Sequence, residues 1–146
     1  MSAPAVPRTY FEDVEVGSRH ETPAMTITQA HVTLYGSLTG DSPTPDAPGL
    51  APELLALALS TGLGWRITRP PLVVLAFMSI DWKIAHPLRI GDTVRSRSRT
   101  ALKRSMRDGG VVIEEHEIVN QNGLVLQSGR FTFLVAKRPP ESPASA

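Results

Sequence analysis

The chain has 146 residues, 41% apolar and 20% charged, which suits one globular domain with a packed core. Fifteen Lys and Arg against 14 Asp and Glu leave a net charge of +1, and no electrostatic footprint for a nucleic-acid partner. Cysteine is absent, which excludes disulfides, thiolate catalysis and zinc fingers, and the longest apolar runs fall far short of the roughly 20 residues of a membrane helix.

Residues 1–8 and 139–146 carry five of the 13 prolines among Ser and Ala and read as disordered tails around a single domain at 9–138. The N-terminus has no apolar signal core, so a cytoplasmic protein is expected. After Tyr10-Phe-Glu-Asp-Val-Glu-Val-Gly17 a short extended piece runs to about Ile27. Thr28 then caps a helix that ends before Gly40, with Thr26 and Gln29 as an alternative capping box. His31, Leu34, Tyr35 and Leu38 share one face of it. The stretch Gly40–Gly49, with three prolines, excludes regular structure.

Pro52 opens a second helix to about Leu63. Leu54–Leu59 is apolar on every side, so this helix is expected to be surrounded by protein. The rest is strand. Leu72–Ile84 starts fully buried and becomes half exposed from Ser79. Pro87–Asp92 turns into Thr93–Lys103, where Arg95, Arg97, Arg99 and Lys103 line one face. Asp108-Gly-Gly110 and Asn122-Gly123 are hairpin signals leading to Val111–Asn120 and Leu124–Val135. In the last strand the apolar phase switches, and Gly129 is the expected bulge. A buried helix followed by a meander of long antiparallel strands predicts an α+β hot-dog arrangement, a sheet wrapped around a helix; a lipocalin-like barrel has no use for that helix.

Three segments resemble the MaoC-like dehydratases of the hot-dog superfamily. They are Tyr10–Gly17, the capped helix ending in Leu38-Thr39-Gly40-Asp41, and Pro87-Leu88-Arg89-Ile90-Gly91-Asp92-Thr93-Val94, similar to a Pro-x-x-x-Gly-Asp-x-Val element. The resemblance implies hydration of enoyl thioesters or dehydration of 3-hydroxyacyl thioesters, by a homodimer or a heteromer of two such proteins. It implies no cofactor beyond the coenzyme A of the substrate, and no metal. The family's signature, Asp-x-Asn-Pro-x-His, pairs an acid and a base around one water. Here Asp41 stands at its Asp position, Pro43 at the Asn position and Asp46 at the His position, and the loop before the second helix is shortened.

Asp41 is therefore the candidate acid/base, set against an Asx turn residue at a helix end. Asp46 pairs with it if burial drives two carboxylates apart in pKa. His31 is either a core-edge histidine or one that reaches the cavity beneath the second helix, where Tyr35 of the same face would meet substrate. Glu53 either complements the helix dipole or acts as the carboxylate of a hot-dog thioesterase. Gly49 and Leu50 are expected to supply amide donors to a developing enolate oxygen. Arg95, Arg97 and Arg99 are either a solvated face or a landing strip for coenzyme A phosphates. His116, among Glu114, Glu115 and Glu117, reads as exposed and ion-paired; His86 reads as a turn residue and His20 as uninformative. The readings to be separated are a hydro-lyase using Asp41, a non-catalytic binding or silent subunit, and a thioesterase using Glu53.

Overall fold

A computed structural model describes residues 6–42 and 46–140. Most of the two expected tails, and Pro43–Pro45 of the stretch before the second helix, lie outside the described residues. The chain runs through two short strands, β1 (Arg19–Glu21) and β2 (Met25–Thr26), two helices, α1 (Gln29–Thr39) and α2 (Glu53–Leu63), and four long strands. These are β3 (Val74–Ile84), β4 (Thr93–Met106), β5 (Gly109–Val119) and β6 (Val125–Val135). The strands form one antiparallel sheet in the order β1-β4-β5-β6-β3, with β2 also on β4. The two hairpin turns fall at Asp108 and at Asn122-Gly123, and Gly123 takes the left-handed conformation that the second one needs.

Helix α1 starts where the cap places it. The Thr28 hydroxyl accepts the His31 amide at 3.4 Å, His31 Nδ1 accepts the Thr28 amide at 3.1 Å, and Gly40 closes the helix in the left-handed region. Its expected stripe is packed only in part: Leu34 and Leu38 are 62% and 78% exposed, while Tyr35 of the stripe and Val32 beside it carry the contact to the core. Helix α2 lies against β4 and β5 on Leu55, Ala56, Ser60 and Leu63. Leu54 on the other side is 49% exposed, so within one chain α2 is covered on one side only.

The main core joins Ile27, Val32, Leu55, Leu88, Val94 and Ile118, drawn from both helices, the Pro87–Asp92 turn and two strands. That turn is held by the Asp92 carboxylate, which accepts the Arg89 amide at 2.9 Å. It grips the approach to α2 through Ile90 N–H to Gly49 O and Ala51 N–H to Leu88 O, both 2.9 Å. A second cluster sets Phe11 and Val14 on Val112 and Val135; a β-carbon on Gly110 would stand 2.0 Å from the Phe11 ring, so only glycine fits beneath it.

Two strand expectations need correction. The phase switch of β6 lies at Leu126, not Gly129: Ile118 faces Gln127 while Val119 faces Val125, so Leu126 is the extra residue. Gly129 instead lets strands close up, since a β-carbon there would meet the Asp81 carbonyl oxygen at 2.0 Å. Strand β3 does not start buried. Val74, Leu75, Phe77, Met78 and Ile80 are between 39% and 54% exposed, because β3 is the outermost strand and α2 covers β4 and β5 instead.

Candidate functional site

The residues that the sequence nominates are spread over the molecule. Asp41 follows the Gly40 cap and Asp46 opens the turn before α2; both are exposed, and the Asp41 amide donates to Thr39 Oγ1 at 3.1 Å. His31 is half-buried and has its Nδ1 engaged in the α1 cap. Tyr35 packs against the main core. Gly49 has φ +82° and Leu50 bridges Arg89. They do not open the helix: Leu50 N–H goes to Ala47 O, and α2 begins only at Glu53, so the open donors are those of the turn starting there. Glu53 is exposed, and its carbonyl accepts Gln127 Nε2 at 2.7 Å. Gln127 also accepts Trp82 Nε1 at 2.9 Å, so one buried amide ties the start of α2 to β3.

The arginine row occupies the convex face of the sheet, since alternate residues of β4 point to opposite sides and Ser96 and Ser98 face α2. Arg95 and Arg97 both reach Glu21, at 2.8 and 3.0 Å, and Arg99 reaches Glu115 at 2.8 Å. Lys103 does not share their face as expected: the register break at Ala101 turns it to the side of Val112 and Glu114, where it donates to the carbonyls of Phe11 and Val14. The three arginines are matched by acidic partners of their own face, in a chain with almost no net charge.

On the concave side a cavity of about 260 Å³ lies beneath the second half of α2. One wall is apolar, with Trp65, Leu72, Phe77 and Phe133. The other is polar, with Ser60, Arg69, Ser96, Glu114 and His116. His116 is not exposed as expected: its side chain is 12% accessible and that of Glu114 only 5%. His116 Nε2 meets Glu114 Oε2 at 3.0 Å, Arg69 Nη2 stands 3.5 Å from Glu114 Oε1, and the imidazole stacks on Phe131 at 4.0 Å between centroids. Burial pushes the Glu114 carboxyl up, but the hydrogen bond and charge of His116, joined by Arg69, outweigh it and hold the group below the usual carboxylate range. His20, across the sheet on β1, is pulled below the ordinary imidazole value by burial and by Arg69. The register sets His20, Ser98, His116, Gly129 and Trp82 side by side across five strands.

Sequence reasoning missed this group, although one signal was present. In β5 the residues Val112, Glu114, His116 and Ile118 share a phase, and a strand whose charged residues alternate in step with its core residues buries them. Arg69 and Ser60 gave no comparable signal.

No sequence family matches the chain, and no curated protein does. Solved structures do. A monoamine oxidase regulatory protein from Archaeoglobus superimposes with a TM-score of 0.81 at 25% identity, over 90% of this chain and 97% of that one. A MaoC-like dehydratase from Rhodospirillum rubrum gives 0.76 at 17% identity, over 90% and 99%. The chain has the MaoC-like hot-dog fold. An R-hydratase from Pseudomonas aeruginosa shares it with a TM-score of 0.72 at 16% identity, over 94% and 95%. The α+β architecture expected from the strand meander is thus the observed one, with its helix more open and its cavity more polar than the sequence foretold.

Proposed function

We propose that the chain is a hydro-lyase of the hydratase/dehydratase type acting on acyl thioesters, with Asp41 as general acid/base. The observation that supports this reading is the MaoC-like fold itself, shared nearly end to end with a dehydratase and an R-hydratase. In hydration, water loses a proton to the base as its oxygen bonds to the β-carbon. The π pair moves to the α-carbon, which then takes a proton. Charge collects on the thioester oxygen in between, and the open amides of the first turn of α2 are donors of the kind that stabilises it. Asp41, exposed at the end of α1, handles the proton, with Asp46 as the second carboxylate.

The protein would work in the cytoplasm as a homodimer, or with a second MaoC-like chain, joined along the free apolar edge of β3. The test is crotonyl-CoA hydration by the wild type and by Asp41→Asn. The substitution is expected to lower kcat/KM by about 10²-fold or more. An unchanged rate removes Asp41 from the mechanism. The exposed side chain of Glu53 at the head of α2 keeps a thioesterase reading open, and Glu53→Ala leaving thioester cleavage intact eliminates it.

A further inference from the structure

The cavity under α2 is not the lining expected for a plain hydrocarbon. Ser60 Oγ, Ser96 Oγ and His116 Nδ1 are buried and have no hydrogen-bond partner among the described residues, and all three residues line this one space. Native proteins leave few such atoms unmatched, and three around a single cavity mark a place where a polar group is received. Glu114 fixes what kind of group. An ionised carboxylate only accepts, so His116 Nε2 carries the hydrogen that it receives, and Nδ1 is the ring nitrogen left to a ligand. The serine hydroxyls rotate and can give or take. A single small group that can both give and take among such neighbours is a hydroxyl.

Charge narrows the choice further. Glu114 and Arg69 are already paired with one another, and a carboxylate or ammonium entering beside Phe131 would have to shed its water in a half-apolar space, a cost that a neutral hydroxyl does not carry. Across from the polar wall, Trp65, Leu72, Phe77 and Phe133 offer a surface for a ring or a short chain. We propose that this cavity binds the hydroxyl-bearing end of a small apolar group, recognised by His116, Ser60 and Ser96, with Glu114 and Arg69 positioning the imidazole. Joined to the hydro-lyase reading, on which this extension rests, the acyl group of the thioester carries a hydroxyl remote from the reacting carbons.

The cavity is tested first without any thioester, by titrating the full chain with p-cresol and with toluene, equal in shape apart from the hydroxyl. The wild type is expected to bind p-cresol about tenfold more tightly or better, the worth of one buried hydrogen bond. His116→Leu and Ser96→Ala should erase that preference while leaving toluene binding in place. Ser96→Ala serves if the histidine variant fails to fold. Equal affinities, or binding of neither probe, overturn the proposal. The second arm compares 4-hydroxybenzoyl-CoA with benzoyl-CoA. Selective p-cresol binding with no binding of either thioester keeps the site and discards the thioester reading. Equal binding of the two thioesters without p-cresol selectivity does the reverse.

Discussion

Glu114 shows how a strand holds a charge inside. Its two oxygens are used by His116 and Arg69, so the carboxylate is buried with partners on both sides and not as a lone ion. Its pKa in the folded chain is below the ordinary value of about 4.5, and the sign of the pH dependence follows. The unfolded chain binds the proton first as pH falls, so the stabilisation is complete above the unfolded value and is lost as pH drops through the folded one. Urea unfolding at pH 7, 4 and 3 is expected to show a steeper acid loss in the wild type than in Glu114→Gln, whose amide does not titrate. Parallel curves for the two proteins contradict this. The depressed imidazole of His20 acts in the same direction at higher pH, its contribution beginning to fall just below about 6.5.

The elements interlock through a few unpaired-if-removed groups, of which Gln127 is the clearest. Its amide carries Trp82 Nε1 on one side and the Glu53 carbonyl on the other, and the residue has no solvent exposure. Gln127→Leu leaves a buried indole N–H and a carbonyl at the head of α2 without partners, at a cost of about 1–3 kcal/mol, to be measured by urea denaturation with α2 followed by far-ultraviolet circular dichroism. A loss under a few tenths of that range would mean that water replaces both bonds. Much at this scale was legible beforehand. Thr28 and Gly40 bracket α1 because capping is local chemistry, and the Asn122-Gly123 turn needs only its own two residues. What escaped was set by neighbours distant in sequence. The bulge at Leu126 follows from pairing with β5, and the burial of His116 from a helix that ends about a third of the chain earlier. The sequence nominated Asp41, Asp46, His31 and Glu53 for the chemistry, and not the cluster on the concave face. That cluster is assembled from the segment after α2, two strands and the helix itself, which no local pattern joins.

At the scale of the molecule, the uneven distribution of apolar surface stands out. Among the described residues the outer edge of β3 has no strand neighbour, Val74, Phe77, Met78 and Ile80 are exposed along it, and Leu54 of α2 is open too. An apolar edge of this kind invites pairing with another strand, even with register breaks at Leu75 and Met78, and a second copy related by a two-fold axis would extend the sheet and cover these residues together. Ile80→Lys is expected to turn a dimer into a monomer by light scattering, without loss of the strand signal in circular dichroism. A wild-type chain that is monomeric at micromolar concentration would rule the pairing out. The convex face points the other way: its arginines are already matched by Glu21 and Glu115, so the sheet has one side built for water and one edge built for company.

The loop ahead of α2 has moorings at both ends. On one side Gly40 closes α1 and Asp41 is fixed to Thr39; on the other Gly49 and Ala51 are pinned to the Pro87–Asp92 turn. Among the described residues, neither of these sets of bonds draws on the stretch between Asp41 and Gly49. The two ends of the loop are therefore committed to the scaffold independently, each by its own local bonds, and a substitution that loosens one end leaves the other in place.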